Sequence, residues 1–259
     1  MTLAPIELAP HAWMLLAVAA MLVGISKTAL PGINTISIAI FAAILPAKAS
    51  TGALLLLLIV GDVFALVSYR READWRALVR LIPFAAVGLA AGAAFLALAD
   101  DGWVRRLIGA ILLCLISVNL WQRLRPRPNP SGGTPAVASP LSRLGARAGF
   151  GALGGFTTMV ANAGGPVMSL YFLAAKLPVK TFLGTAAWFF AVINLVKLPI
   201  SISLGLITPT SLHLDLLLVP AVVVGAFIGR WIAARIKQRA FEWAVIAGTA
   251  LGSLYLLLR

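Results

Sequence analysis

The chain has 259 residues, of which 61% are hydrophobic and only 11% charged, where a soluble domain is nearer half apolar and a quarter charged. That much apolar surface cannot be hidden inside a globule of this size, so a lipid bilayer must cover it, and a soluble enzyme or binding domain is excluded. The net charge of +13, from 21 Lys+Arg against 8 Asp+Glu, is read as loop charge that orients a membrane protein rather than as a nucleic-acid footprint.

In chain order, an interrupted apolar region at 11–45 is followed by apolar runs at 51–69, 78–99 and 103–122. A second interrupted region at 144–175 is followed by runs at 181–200, 212–234 and 240–258. Runs of about 20 apolar residues cross a bilayer as helices. Between the two sets lies RLRPRPNPSGGTPAVASPLSR, 123–143, a Pro-, Ser-, Gly- and Arg-rich stretch that reads as a flexible linker. The domains are therefore set at 1–122, 123–142 and 143–259: first membrane repeat, cytoplasmic linker, second membrane repeat. No Lys or Arg precedes Lys27, so a charged signal-peptide start is missing and the first apolar segment is expected to stay in the mature protein.

The halves carry the same punctuation. LPAKASTG at 45–52 matches LPVKTFLG at 177–184 in its Leu, Pro, Lys and first-helix Gly, 132 residues apart. PFAAVGLAAG at 83–92 matches PAVVVGAFIG at 220–229 in Pro, Val and both Gly, at an offset of 137. Each half opens on a broken stretch, GISKTALPGIN at 24–34 and TTMVANAGGPV at 157–167.

Charge decides the sense of the repeat. With the interrupted regions as full spans, ten Lys/Arg fall inside and nine outside. With each region entering and returning on its own side, the halves are inverted, and fifteen fall inside against four outside, Lys48, Arg105, Arg106 and Arg259. The positive-inside rule favours the inverted arrangement. The second arm of each region has 11 or 12 residues, about 17 Å at 1.5 Å per residue, half a hydrocarbon core. The fold class is thus an all-α polytopic membrane protein of two inverted repeats. Each repeat is a re-entrant broken helix followed by three spans, with the breaks meeting tip to tip.

A helix that restarts inside a membrane presents unpaired N–H groups and a partial positive charge. Two such starts facing one cavity favour an anion. Leu30, Pro31 and Gly32 break the first run, where Asn34 or Thr35 can cap the new helix. Asn162, Gly164, Gly165 and Pro166 break the second. Thr28, Thr157 and Thr158 offer hydroxyl donors nearby. The alternative is that Gly and Pro only kink the helices or let them pack closely.

A cation within the membrane is costly, so Lys27 should face a cavity or anion, or be paired. Asp62 can carry a coupling proton, or pair with Lys27 or Lys197. Asn194 holds the repeat position of Asp62, so the pseudo-symmetry is broken in charge there. Lys197, three residues on, reads equally as a cavity residue or as a side chain snorkelling from a span end. Trp188 can line the cavity or pack against helices and lipid. His11 and His213 have no metal-ligand spacing, and single Cys114 allows no disulfide, so no metal and no cofactor are expected. There is no nucleotide-binding loop and no hydrolase motif.

These features resemble the sulfite exporter TauE/SafE family of membrane permeases, also called the toluene sulfonate uptake permease group. The resemblance runs over nearly the whole chain and rests on KTALPGIN, GDVFALVSYRREADW and NAGGPVMSLYFLAAKLPVK. It implies a multi-pass protein of the bacterial cytoplasmic (inner) membrane that moves sulfite, sulfonates or related anions, mostly outward, and is not an enzyme. The expected partners are a small anionic substrate, protons as a possible coupling ion, and lipid, with no nucleic acid and an open choice between monomer and homodimer. A passive anion channel is the rival reading; an intramembrane enzyme or assembly protein is a weaker one.

Overall fold

A computed structural model describes residues 8–124, 140–237, 240 and 243. They form nine α-helices and no strand among the described residues. These are α1 (Pro10–Thr28), α2 (Asn34–Ile44), α3 (Ala47–Tyr69), α4 (Trp75–Leu98), α5 (Asp101–Leu124), α6 (Pro140–Ala161), α7 (Gly164–Ala174), α8 (Val179–Ser203) and α9 (Pro209–Arg235). Five segments among the described residues are long and apolar enough to cross a membrane: Pro10–Thr28, Ala47–Glu72, Trp75–Leu98, Val179–Ser203 and Pro209–Arg235. The expected span at 240–258, apart from residues 240 and 243, and most of the linker lie outside the described residues.

Both apolar regions break where the sequence places the breaks, for different local reasons. Pro31 lacks an N–H and disfavours helical backbone at the residue before it. Leu30 accordingly takes φ −131°, ψ 77°, and a short 3-10 turn, Pro31–Ile33, leads into α2. In the second region Asn162 turns the chain with φ 54°, a left-handed conformation that Asn tolerates better than most residues. Neither Asn34 nor Thr35 caps α2, contrary to expectation: the residue before the helix is Ile33, without a side-chain cap. Asn34 is instead turned toward the second break, and the Thr35 hydroxyl donates to the Gly32 carbonyl at 2.8 Å.

Past its break α2 doubles back. The Ser37 hydroxyl donates to the carbonyl of Ala19, midway along α1, at 2.9 Å, a contact that a continuing helix could not make. Pro46 and Pro178 then precede α3 and α8. The start of α3 is held by Asp101 of α5, whose carboxylate accepts from the backbone N–H groups of Ala47 (3.2 Å) and Lys48 (2.9 Å). An anion there also complements the helix dipole.

The most extensive helix contacts run across the two halves. α1 lies against α9, and α4 against α6. Glycine makes both seams close. A Cβ on Gly225 would collide with the Met21 carbonyl and one on Gly24 with the Val222 carbonyl. Gly88 and Gly155 lie as tightly against Ala152 and Ala85. Small residues permit this approach between membrane helices, where dispersion contacts replace a hydrophobic driving force. The Thr28 hydroxyl adds a 3.0 Å bond to the Ala226 carbonyl across the α1–α9 seam.

At the centre α3 and α8 run antiparallel. Gly52, near the start of α3, sits on Leu206 just beyond the end of α8, and Gly184, near the start of α8, sits on Tyr69–Ala73 at the end of α3. Gly52 and Gly184 are 132 residues apart, so the two contacts are counterparts. Replacing Gly225 by Val should lower stability by about 1–3 kcal/mol through overpacking. The same change at Gly109 of α5, which has open space around its Cα, should stay within about 0.5 kcal/mol. Thermal unfolding in detergent compares the two.

Candidate functional site

The broken helices touch at their tips. Gly165 lies against the Pro31 carbonyl, and a Cβ there would stand only 2.9 Å from that oxygen. The Asn34 amide donates to the Asn162 carbonyl at 3.2 Å, joining one break to the other. Asn162 also donates to the Thr51 carbonyl at 2.9 Å, so the left-handed bend is tied to α3.

Three elements meet beside the tips in one polar junction. Lys27, the penultimate residue of α1, has its Nζ 2.6 Å from Asp62 Oδ1 on α3. Asp62 Oδ2 accepts from the Asn194 amide of α8 at 2.6 Å. The two charged side chains are 8% and 4% exposed, so neither can discharge its solvation cost to water. The Lys27 ammonium also lies 4.7 Å from the centre of the Phe190 ring, a cation–π contact that strengthens away from water. The choice left open for Asp62 and Lys27 between pairing and a cavity position resolves to both: they pair, and the pair lines the cavity.

A second cation stands behind the first. Lys197 is fully buried. Its Nζ donates to the Thr158 carbonyl at 2.6 Å and to Asn162 Oδ1 at 2.5 Å. Snorkelling is therefore overturned: α8 continues to Ser203, so Lys197 is not at a helix end, and its head is aimed at the α6–α7 bend.

The cavity between these groups is lined by Ser26, Lys27, Pro31, Asn34, Leu58, Asp62, Thr158, Asn162, Gly165, Ala186, Ala187, Phe190 and Asn194. Its volume of about 20 Å³ gives room for a water or two, since one needs about 10–15 Å³ on this scale. The site as it stands is thus of the size of water. Asn34 Oδ1 and Asn194 Oδ1 are buried without a hydrogen-bond partner. An unmet buried polar atom costs about 1–3 kcal/mol, so a ligand bringing a donor would relieve two of them. The start of α7 has no side-chain cap, which leaves its first N–H groups as donors beside Gly165.

Of the residues expected at a site, Lys27, Asn34, Asp62, Thr158, Asn162, Gly165 and Asn194 converge on this cavity. The others do not line it. The Thr28 and Thr157 hydroxyls are spent on carbonyls of their own helices and, for Thr28, of α9. Gly32 accepts from Thr35, and Gly164 packs on Thr158. Trp188 is at the rim of the bundle, its Nε1 donating to the Arg70 carbonyl at 3.1 Å and its ring 5.0 Å from that of Trp75. Sequence reasoning missed Ser26, Pro31 as a wall, Leu58, Ala186, Ala187 and Phe190. Phe190 lies one helical turn before Asn194, so the i,i+4 relation that puts residues on one helix face was a usable signal.

A family model described as Sulfite exporter TauE/SafE matches residues 16–256. The chain belongs to that family. TauE/SafE is a family of membrane transporters, not of enzymes, and the match takes in both breaks and every residue of the polar junction. No curated protein and no solved structure matches the chain. Among the described residues no group of three or more His, Cys, Asp or Glu is placed to hold a metal.

The Lys27–Asp62 pair is testable by a double-mutant cycle. Asp62→Leu alone should destabilise by about 3–5 kcal/mol, because it leaves a buried cation uncompensated. Lys27→Met combined with Asp62→Leu should recover much of that loss, and the two single costs should not add. Chemical unfolding in detergent measures all three.

Proposed function

We propose that the chain is a secondary transporter, acting as an exporter, of a small sulfur oxyanion or organosulfonate. The anion binds at the touching tips, between the helix starts at 32–35 and 164–167, with Lys27 as its charge partner. The carrying observation is the convergence of the uncapped α7 start and the Lys27–Asp62 pair on one cavity, with Lys197 held behind it on two of its lining residues, Thr158 and Asn162. Two lysines against one carboxylate leave the junction richer in donors than in anionic acceptors, and an anion supplies the missing acceptor. The unpaired oxygens of Asn34 and Asn194 favour an anion that also carries a donor, such as a singly protonated oxyanion. Asp62 holds Lys27 in place between turnovers; carriage of a coupling proton by Asp62 is disfavoured by its two occupied oxygens.

On this reading the halves are inverted repeats around the site, with residues 123–142 as a cytoplasmic linker, in the cytoplasmic membrane of a bacterium. Four observations support it. α3 and its counterpart α8 are antiparallel, and α2 doubles back on α1. Asp62 bonds to Asn194, its own counterpart 132 residues on, as residues on a pseudo-two-fold axis do. Lys and Arg divide fifteen to four. Inverted repeats with discontinuous helices at mid-membrane are a recurrent transporter design, with alternating access by movement of one bundle against another. A passive anion channel is the rival reading, and the cavity, with room for only a water or two, must widen for either.

In proteoliposomes offered sulfite, sulfonates, sulfate and carboxylates, a sulfur oxyanion or sulfonate should give the fastest flux. Lys27→Ala should reduce it by about 10–150-fold, the equivalent of a charge-assisted contact of about 1.5–3 kcal/mol. Undiminished flux in a folded variant removes Lys27 from the mechanism. In a Cys114→Ser background, an impermeant maleimide should reach Thr210→Cys from outside and Lys237→Cys only from the cytoplasm. Thr210→Cys reached only from the cytoplasm with Lys237→Cys reached from outside sinks the inverted arrangement.

A further inference from the structure

Asp215, in the second turn of α9, stands apart from the tip junction. It is 4% exposed, and neither of its carboxylate oxygens has a hydrogen-bond partner. It borders a groove of about 570 Å³ between α3 and α9 whose other walls include Leu56, Leu57, Val60, Leu212 and Leu216. Leu212 and Leu216 are themselves more than half exposed, so the groove opens on the side of the bundle.

The duplicated sequence supplies an internal comparison. At the repeat offsets of 132 and 137, Leu56 corresponds to Trp188, Leu212 to Trp75 and Asp215 to Leu78. In the counterpart seam the two Trp rings lie 5.0 Å apart and Leu78 is buried at 1% exposure. The same seam is therefore closed and apolar in one copy, and open and acidic in the other. Packing alone is met by Leu at this place, so the acid at 215 needs another reason.

An unpaired carboxylate in apolar surroundings is costly, and ionisable groups within membrane helices are by default functional. Of the helices packed on α9, α1 carries His11 and Lys27 and α3 carries Lys48 and Asp62. None of them bonds to Asp215, and Lys27 and Asp62 are committed to each other. On α9 itself His213 lines the groove and is exposed.

The location also gives Asp215 leverage. α9 is seamed to α1 through Gly24, Gly225 and the Thr28–Ala226 bond, so the two helices move together. α1 carries Lys27 and α3 carries Asp62. Asp215 sits on the seam between the α1–α9 pair and α3. We propose that Asp215 is a proton-binding site whose occupancy sets how closely the α1–α9 pair rides on α3, and thereby couples a proton to the opening of the Lys27–Asp62 junction. The step is transfer of one proton from hydronium to a carboxylate oxygen, forming one O–H bond and releasing water; the neutral acid packs against α3, and the anion draws water into the groove. The coupling rests on the transport reading above, whereas the proton site does not depend on which anion is carried.

Carbodiimide labelling tests it, since dicyclohexylcarbodiimide partitions into apolar sites and reacts with a protonated carboxyl group. Mass spectrometry of the purified protein should find the adduct on Asp215 at mildly acidic pH, with the yield falling at alkaline pH and vanishing in Asp215→Asn. In proteoliposomes Asp215→Asn should lose the stimulation of flux by an imposed proton gradient, about tenfold on the scale of linked sites. It should keep downhill anion exchange, and Asp215→Glu should retain the stimulation. Asp215 left unlabelled at every pH, labelling indifferent to pH, or an Asp215→Asn protein that answers the gradient like its parent would each overturn the proposal. If no variant and no parent protein moves any anion, the labelling still decides the proton site, and the failure belongs to the transport reading.

Discussion

Both oxygens of the Asp62 carboxylate are taken, one by the Lys27 ammonium and one by the Asn194 amide. That shared carboxylate ties α1, α3 and α8 together at the depth where the broken helices meet. A buried ion pair is weak support for stability as such, because desolvation consumes most of the Coulombic gain. Its consequence is positional. Lys27 can be carried in the membrane only while Asp62 faces it, Asp62 can face it only while α3 crosses α1 here, and Asn194 fixes the rotation of α8. The second cation follows the same logic with neutral partners: Lys197 spends its protons on the Thr158 carbonyl and Asn162, which holds the α6–α7 bend in place.

The helical architecture was legible in the sequence because its terminators are local. Pro31, Pro46 and Pro178 act through their missing N–H and their effect on the preceding residue, and apolar runs of spanning length need no tertiary knowledge. The edges moved by a few residues, as at α3, which begins at Ala47. What the sequence could not express is who faces whom. Thr28 looked like a donor for a ligand, yet its hydroxyl serves the α1–α9 seam. Asn34 looked like a cap for its own helix and instead bonds to the other break. Lys197 looked close to a helix end, and its head turned inward. Each of these depends on the rotation of one helix against a partner more than 30 residues away, which periodicity leaves undetermined. The pairing of Asp62 with Lys27 was among the alternatives the sequence offered, whereas its second bond, to Asn194 at the equivalent place 132 residues on, was not.

The seams differ in kind, and the difference bears on how such a molecule can move. The α1–α9 and α4–α6 contacts are backbone against backbone at glycines, where sliding brings carbonyls into collision. Packed interfaces of that type behave as rigid units. The α3–α8 and tip contacts also rest on glycines, at Gly52, Gly184 and Gly165, but add side-chain hydrogen bonds at the polar centre, which can be exchanged for water or ligand at little net cost. In the transport cycle proposed above, motion therefore falls at the polar centre, between two glycine-seamed pairs, and the groups that must part are those that bind.

Pseudo-symmetry sharpens this further. An inverted pair of identical halves would give two equivalent end states with no preference of direction and no distinct coupling site. The departures from identity are what introduce direction. Lys27 has Met159 as its counterpart, Asp62 has Asn194, Lys197 has Ala65, and Asp215 has Leu78. All four charged residues are buried or nearly so, where a charge is expensive, and none is needed for packing in the copy that lacks it. In the transport cycle proposed above, a charge present at only one of two equivalent places makes the two access states unequal in energy. A proton or an anion that neutralises that charge then shifts the balance between them by its own differential binding, the only lever a ligand has on a two-state equilibrium.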